Sequence, residues 1–461
     1  MLLALHASPG AGTLAPDFLA RAWLIAALLT AAIGLVQYFG LSNSFGQWVS
    51  QTRAGEAFGN LRQRNQFASL MGIGFGALIW VVAQRRFTAF HLFILTLLAV
   101  GNGASNSRTG AVQWIAIVLI TALWSAHGRR GALAIALYAF SAYLLAVFAL
   151  PWLLMTLTDF GGGGLLQRLS EASGCQSRLT LWSNVLKLIA QKPWLGWGWG
   201  ELDYAHYITL YPGARFCDIL SNAHNLPLHL AVELGVPLSL MVCGVSVWLV
   251  LRARPWRETD ATRQMAWGVL MLILLHSMLE YPLWYGPFQM AFGLCVYLLW
   301  ATRSRSAAAT EPITPTAPTA AGIRYFQATS AAALMMVTAY AAWDYHRVSQ
   351  LYLAPEQRAA AYREDTLEKT RDTWLFKQQF DFAVLGLTAL TPENALQIHT
   401  LSNRLLHFSP EPRVIEKLIE SAVRLGRDDE AMLHLARYRA AFPQEHARWR
   451  SSVVLTEQPA K

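Results

Sequence analysis

The chain contains nine apolar stretches that are each about as long as a helix must be to cross a bilayer. A transmembrane helix needs roughly 20 predominantly apolar residues. With 54% hydrophobic and 14% charged residues among 461, the chain has too much apolar surface for an ordinary soluble globule. The predicted spans are 21–40, 66–83, 87–104, 110–126, 131–157, 228–251, 265–280, 285–300 and 326–345. We therefore expect an all-α, polytopic membrane bundle of about nine spans.

Short basic connections orient this bundle, because cytoplasmic loops retain Lys and Arg. The arginines in question are Arg85, Arg86, Arg129, Arg130, Arg252, Arg254, Arg257, Arg263, Arg303, Arg305 and Arg324. They all fall on one side of alternating spans, which places the N-terminus inside and the residues after 345 outside. The first twenty residues lack the charged n-region of a signal peptide, so we expect the first span to be retained as an anchor.

Two predicted domains follow from this topology, a membrane domain over 1–345 and an outer helical domain over 346–461. Within the first, residues 158–222 form a large outer loop, which opens on a flexible hinge at Gly161–Gly164 and continues into an amphipathic helix from Ser177 to Ile189. Residues 301–325 are rich in Ala, Thr and Pro and read as a disordered cytoplasmic linker. The outer domain resembles a tetratricopeptide-like (TPR-like) helical array, and a plain helical bundle is the alternative.

Cys175 and Cys217 share the outer loop, whereas Cys243 and Cys295 lie in predicted spans. An oxidising compartment would permit a Cys175–Cys217 disulfide. Two free thiols are the alternative.

Seven arginines fall on the outer side, against the usual charge bias: Arg53, Arg62, Arg64, Arg108, Arg168, Arg178 and Arg215. Arg108 stands at the mouth of the fourth span, where an unpaired guanidinium within lipid would cost roughly 3 kcal/mol or more. Several arginines converging on one polar patch suggest a diphosphate, whose oxygens accept paired N–H donors. Contacts with lipid headgroups or carboxylates are the alternative reading.

His224 and Asn225 are the leading catalytic candidates. Pro227 suits the first turn of a helix, so both residues precede a helix N-terminus at the membrane boundary. The helix dipole disfavours an imidazolium there, and a neutral His224 could accept the proton of an attacking hydroxyl. A structural histidine in a loop is the alternative.

His276 and Glu280 form a second polar cluster, in the predicted outer turn between spans seven and eight. Four residues apart, they would share one helical face at membrane depth, where ionisable groups are functional candidates. A His–Glu pair that only pins two helices together is the alternative.

Composition and motifs narrow the chemistry further. The net charge of +9 is compatible with nucleic acid, anionic lipid or a phosphate substrate. Trp194, Trp197 and Trp199 could stack on sugar rings or belong to an interfacial aromatic belt. Walker, zinc-protease and redox motifs are absent from the sequence. We therefore expect that the protein needs no metal or cofactor, and that the substrate itself supplies the free energy that drives its reaction.

An ordered set of segments resembles the O-antigen ligase superfamily, and within it the bacterial protein O-oligosaccharyltransferases of the PglL type. The segments are Arg62–Ala68, Ser105–Gly110, Arg178–Trp182, Pro193–Gly200, His224–Gly235 and His276–Tyr285. The resemblance spans nearly the whole chain, and the turn from Glu280 to Tyr285 favours the protein-modifying branch.

The resemblance implies a GT-C-like enzyme of the bacterial inner membrane with a periplasmic active site. Such enzymes move a preassembled glycan from undecaprenyl diphosphate to a Ser or Thr hydroxyl of an acceptor such as a pilin-like protein. It implies His224 as the essential histidine, Tyr281 in a turn implicated in transfer, and Arg108 and Arg178 as diphosphate ligands. It also implies an inverting displacement that needs no metal.

Several further expectations accompany this function. Glu280 and His276 would orient their neighbours, and Asn225, Arg62, Arg64 and Arg215 are additional candidates for substrate binding. The expected partners are the lipid-linked oligosaccharide, the acceptor protein and the bilayer, with no nucleic acid.

Two departures from the family pattern stand beside the resemblance. Leu238 occupies a position where some ligases have a small residue, and family members usually carry more N-terminal spans. The rival functions are a ligase acting on lipid A core, an O-antigen polymerase, a transporter of lipid-linked sugars and a structural scaffold.

Overall fold

The computed structural model describes residues 11–85, 87–126, 130–158, 175–303 and 319–456, and these residues form helices without any strand. They divide into two compact units. Unit 1 comprises Met1–Ser173, His224–Leu226 and Val242–Ala317, and unit 2 comprises Gly174–Ala223, Pro227–Met241 and Pro318–Lys461.

The α-helices are numbered in chain order. The first eleven are α1 Ala11–Tyr38, α2 Arg64–Gln84, α3 Ala89–Ala104, α4 Arg108–Ser125, α5 Arg130–Thr158, α6 Arg178–Gln191, α7 Leu202–Ile208, α8 Leu226–Leu234, α9 Val236–Ala253, α10 Ala261–Ser277 and α11 Gly286–Ala301. The remaining seven are α12 Thr319–Ser349, α13 Thr366–Thr370, α14 Lys377–Leu387, α15 Ala395–Leu406, α16 Pro412–Arg424, α17 Asp428–Ala441 and α18 Pro443–Thr456. Short 3₁₀ segments include Ser42–Trp48, Gly59–Leu61 and Pro282–Trp284.

Helix α2 lies at the centre of unit 1, in contact with α1, α3, α4 and α10. Small residues let these helices approach closely, as they do in other membrane bundles. A Cβ atom added at Gly74 would lie 2.4 Å from the Cβ of Ala27. One added at Gly103 would lie 2.9 Å from the Cβ of Ala146 on α5. The helices of unit 1 therefore pack too tightly at these points for larger residues.

Five described helices are long and apolar enough to cross a membrane: Pro16–Tyr38, Arg64–Gln84, Arg108–Ser125, Gly131–Thr158 and Val236–Arg257. Two further apolar helices, Ala89–Ala104 and Gly286–Ala301, are shorter. Only 6% of the apolar window in Val236–Arg257 is buried within the protein, as expected for a helix surrounded by lipid. The chain is a multi-pass membrane protein, and the count of nine spans stays a prediction.

The sixth predicted span, 228–251, is wrong as a continuous helix. The structure divides it at Gly235 into α8 and α9, and Gly235 has a φ of +88°. The backbone of the outer loop crosses the α8–α9 junction at this point. The Val236 amide there donates to the Pro193 carbonyl at 2.8 Å. A Cβ atom at Gly235 would lie only 2.1 Å from the Trp194 carbonyl oxygen. A close backbone crossing, which the apolar pattern does not encode, therefore ends α8.

The loop part of unit 2 confirms two predictions. Helix α6 covers most of the predicted amphipathic segment, and the Ser177 hydroxyl caps it by accepting from the Thr180 amide at 3.1 Å. Its apolar face buries Leu181, Val185 and Leu188. Cys175 and Cys217 form the predicted disulfide, with their Cα atoms 5.4 Å apart.

The C-terminal helices of unit 2 pair in sequence, α15 with α16 and α16 with α17. Tyr207 of α7 lies in their hydrophobic core, and its hydroxyl bonds to Nδ1 of His434 at 3.0 Å. The compact units therefore divide differently from the predicted boundary at residue 345, because this loop helix belongs with the C-terminal helices. The TPR-like character of this region stays a prediction.

The predicted linker 301–325 is helical at both ends, since α11 ends at Ala301 and α12 begins at Thr319. Residues from Thr319 onward are therefore helical in the structure, and the linker itself stays a prediction. The central linker residues 304–318, the Gly161–Gly164 hinge and Arg168 lie outside the described residues.

Replacing Gly235 with Ala should destabilise the protein by about 1 to 3 kcal/mol, because the new Cβ would meet the Trp194 carbonyl in a backbone conformation that alanine rarely adopts. The midpoint of thermal unfolding in detergent measures the effect. Gly244→Ala is the matched control, since nothing lies within 4 Å of a Cβ added there. Equal midpoints for the two variants would contradict the crossing.

Asp203 of α7 should make unit 2 less stable as pH rises. Burial, with a smaller contribution from the charge of Glu201, raises its pKa to about 7. The folded chain then holds a proton that the unfolded chain releases near pH 4, so stability is present at low pH and lost as pH rises towards 7. Between pH 5 and 8 the loss is on the order of 2 kcal/mol. Thermal unfolding of Asp203→Asn should show a smaller difference between the two pH values than the unsubstituted protein, and an unchanged difference would refute the assignment.

Candidate active site

His224 lies in unit 1 in a left-handed backbone conformation with a φ of +51°. This conformation is uncommon for a residue with a side chain and costs of order 1–3 kcal/mol. Contacts with the turn after α10 hold it in place: His224 Nδ1 lies 2.8 Å from Glu280 Oε2, and the Asn225 amide donates to the Met278 carbonyl at 3.1 Å. The histidine is therefore fixed by residues more than fifty positions away.

Glu280 joins the histidine to two further segments. Its Oε1 accepts from Asn65 Nδ2 at 3.1 Å, and Asn65 Oδ1 accepts from the Ser107 hydroxyl at 2.6 Å. Asn65 belongs to the first turn of α2, and Ser107 is the N-cap of α4, accepting from the Gly110 amide. We call these four residues the His224 cluster: His224, Glu280, Asn65 and Ser107.

The His224 cluster determines which imidazole nitrogen is basic. A carboxylate accepts but does not donate hydrogen bonds. His224 Nδ1 therefore carries a hydrogen and donates it in a hydrogen bond to Glu280 Oε2. The neutral ring then has its lone pair on Nε2. Glu280, only 9% exposed, also provides a nearby negative charge that stabilises an imidazolium. The arrangement is suited to a histidine that takes up a proton during a reaction.

Tyr281 lies beside this histidine, with the two rings edge to face at a centroid distance of 4.9 Å. Burial raises the pKa of the Tyr281 phenol, and the hydrogen bond with Tyr285 and the charge of Glu280 raise it further. The phenol is therefore neutral at physiological pH and can donate a hydrogen bond.

His276 lies in the last turn of α10. Helix α10 ends at Ser277, although the Glu280 amide still donates to the His276 carbonyl at 2.8 Å. The side chains of His276 and Glu280 contact different segments. The ring nitrogen Nδ1 of His276 bonds to the Ser69 hydroxyl at 2.9 Å, and Gln113 donates to the same hydroxyl at 2.7 Å. All three side chains are buried. His276 thus joins α10 to α2 and α4 within the bundle.

The predicted arginines divide between the two units. Arg62, Arg64 and Arg108 belong to unit 1, as the His224 cluster does, and Arg178 and Arg215 belong to unit 2. Arg108 follows the cluster residue Ser107 directly and is exposed, and Arg62 is also exposed. Arg64 forms an ion pair with Glu56, which reduces the charge it offers a ligand. Arg178 begins α6.

Arg215 has a structural role in the loop, and its part in substrate binding stays a prediction. Its guanidinium donates to the carbonyls of His206 at 2.8 Å and Thr209 at 2.9 Å and lies 5.4 Å from the ring centre of Tyr211. Burial and this positive charge lower the pKa of His206 to about 3. The guanidinium therefore holds the backbone of this loop together.

The tryptophans of Pro193–Gly200 differ from one another. Trp197 is partly buried, donates to the Leu188 carbonyl at 3.0 Å and lies under the Lys192 ammonium. Trp194 and Trp199 are exposed. Trp197 is therefore structural, and sugar stacking stays a prediction only for the other two.

Asn65 and Ser107 are the functional candidates that the sequence analysis missed, although both lie in segments that carry the family resemblance. The available signal was their position, since each lies at the predicted outer end of a span beside an arginine. Among the described residues, no group of three or more His, Cys, Asp or Glu is placed to hold a metal ion.

Fold and site together define a multi-pass helical membrane protein with a histidine–carboxylate site. Residues 92–243 match a family described as O-Antigen ligase, residues 57–81 match Protein glycosylation ligase, and residues 264–456 match Virulence factor membrane-bound polymerase, C-terminal. These partial matches support a place for the chain in the O-antigen ligase superfamily, near its PglL-like branch.

Two relatives come from Acinetobacter baylyi (strain ATCC 33305 / BD413 / ADP1). One is described as a General O-oligosaccharyltransferase and is 25% identical over 304 residues, which cover 62% of this chain and 51% of the relative. The other is described as a ComP-specific O-oligosaccharyltransferase and is 25% identical over 254 residues, covering 54% and 45%. The chain thus spans about half the length of the curated relatives it matches. No solved structure matches it.

The link between Asn65 and Ser107 can be tested with a double-mutant cycle. Asn65→Ala should lower stability by about 1 to 3 kcal/mol, because it leaves buried partners unsatisfied. Ser107→Ala should lower it as well, and the two changes should be coupled by about 1 kcal/mol. Thermal unfolding of the single and double variants in detergent provides the measurement. Strictly additive losses would show that the two side chains act independently.

Proposed function

We propose that the chain transfers a preassembled oligosaccharide from undecaprenyl diphosphate to a Ser or Thr hydroxyl of a periplasmic or pilin-like protein. The single observation that carries this proposal is the contact between His224 Nδ1 and Glu280 Oε2 at 2.8 Å, which prepares Nε2 as a base. The names of the two relatives support transfer of an oligosaccharide to oxygen. The active site would open on the periplasmic face of the bacterial inner membrane.

In the proposed step, His224 Nε2 removes the proton from the acceptor hydroxyl while the hydroxyl oxygen attacks the anomeric carbon of the first sugar. A new carbon–oxygen bond to the acceptor forms as the bond to the diphosphate breaks, and the electron pair leaves with undecaprenyl diphosphate. Because the hydroxyl attacks on the face opposite the departing diphosphate, the anomeric configuration is inverted. Glu280 stabilises the imidazolium that results.

The leaving diphosphate needs positive charge, and we assign this role to Arg108 with Arg178. Fixed charges aimed at a developing negative charge usually make a large contribution to catalysis. The exposed guanidinium of Arg108 supports the first assignment, because it follows Ser107 of the His224 cluster. Arg178 is assigned on the family resemblance alone. Tyr281, beside His224, would donate a hydrogen bond to a substrate oxygen.

Replacing His224 with Ala should reduce transfer by a factor of about 10² to 10⁴, the usual contribution of a general base. The measurement is glycosylation of acceptor protein by the purified protein in nanodiscs, detected by mass spectrometry. His91→Ala is the matched control, since His91 is a partly exposed histidine in the first turn of α3 that caps its own helix. Equal transfer by the two variants would refute the proposed base.

A polymerase or a ligase acting on lipid A core is the second candidate, favoured by the matches of residues 264–456 and 92–243 to families with those descriptions. All three reactions share the donor and differ in the acceptor. Supplying the same donor with a pilin-like protein, lipid A core or a second donor lipid separates them. Product formed only with lipid A core or with the second lipid would replace the proposal.

A further inference from the structure

A polar cavity of about 450 Å³ lies in the connection between α1 and α2, in unit 1. Its lining residues are Asn43, Gln51, Thr52, Arg53, Glu56 and Phe58. It is a shallow depression that is open to solvent, and its volume falls within the range of roughly 300–1,000 Å³ that small-molecule sites occupy. None of the four residues of the His224 cluster lines this cavity. The proposed transfer step uses none of the cavity's lining residues.

The walls of this cavity are held in place by a buried glutamine. Gln37, near the end of α1, donates to the carbonyls of Ser50 at 2.9 Å and Gly59 at 3.0 Å. Its side-chain oxygen accepts from the amides of Phe58 at 3.1 Å and Gly59 at 2.7 Å. One side chain thus fixes both sides of the connection, so the cavity is formed before any ligand arrives.

Two hydrogen-bonded links connect the cavity to the His224 cluster. Glu56 of the lining pairs with Arg64, and the next residue, Asn65, donates to Glu280. The Gly55 carbonyl accepts from Asn106 Nδ2 at 3.3 Å, and Asn106 precedes Ser107 of the cluster. The cavity and the candidate active site therefore share two supporting segments.

The lining chemistry matches a sugar better than a diphosphate. The amide of Asn43 can donate to and accept from sugar hydroxyls, and Phe58 adds an aromatic ring. The side-chain oxygens of Gln51 and Thr52 can accept from a sugar, because their own donors bond to backbone carbonyls. A diphosphate would favour converging cations, whereas Arg53 is the one basic residue in the lining and Glu56 is acidic.

We propose that this cavity binds the sugar residues of the donor glycan that lie beyond the reacting sugar. This inference rests on the proposed function, because it assumes a lipid-linked oligosaccharide whose first sugar reacts near His224. The cavity would then favour donors that carry a complete glycan over donors that carry a single sugar.

The test compares two undecaprenyl diphosphate donors, one with the complete glycan of the source bacterium and one trimmed to its first sugar. Dissociation constants are measured in nanodiscs, and His224→Ala is present in every protein so that binding is read without turnover. Asn43→Ala removes an exposed lining amide, and Gln47→Ala is its matched control. Gln47 is exposed in the same segment, Ser42–Trp48, but does not line the cavity.

We expect Asn43→Ala to weaken binding of the complete donor by about two- to tenfold, the value of one neutral hydrogen bond. Binding of the trimmed donor should be unchanged, and Gln47→Ala should bind both donors as the parent does. The cavity proposal is overturned if the parent binds both donors equally, if Asn43→Ala changes neither constant, or if it weakens both alike. Transfer assayed separately with His224 intact decides the proposed function, so the two failures are distinguishable.

Discussion

The buried carboxylate of Glu280 is the interaction on which the candidate site depends. Leaving such a group without partners is expensive, since burial of an unpaired charge costs several kcal/mol. Here one carboxylate oxygen contacts His224 Nδ1. The other accepts a hydrogen bond from the side-chain amide of Asn65, which lies 215 positions away in the sequence. The same contact holds His224 in an unfavourable backbone conformation and determines its tautomer. Fold stability and candidate chemistry thus rest on one group.

The cavity in the α1–α2 connection extends this arrangement. Arg64 and Asn65 are adjacent, and one pairs with a cavity residue while the other bonds to Glu280. Movement at either place would disturb the first turn of α2. A donor that occupied both regions would therefore be positioned by one rigid support, which favours reaction because the reacting groups are already oriented.

Local features of the chain were largely predictable from sequence. The apolar periodicity of α6 and its serine cap follow from helix geometry, and the Cys175–Cys217 pair follows from the shared outer loop. His224 was identified because it precedes a helix N-terminus at the membrane boundary, and Glu280 because ionisable groups are rare at membrane depth. Their contact was not predicted, because nothing in residue spacing shows which distant segments meet. The contacts of Arg215 were not predicted for the same reason, since its carbonyl partners depend on how the loop folds. The break at Gly235 also depends on a distant backbone, that of Trp194.

Glu280 fixes the orientation of the His224 imidazole and stabilises the protonated form that this base adopts during the reaction. The most direct test of this role is the single-turnover rate of glycan transfer by Glu280→Gln, measured at saturating donor alongside the donor dissociation constant. The glutamine keeps the size of the side chain but removes the charge that stabilises the imidazolium. We predict a rate at least tenfold lower with donor binding unchanged. A rate equal to that of the unsubstituted protein would contradict the account.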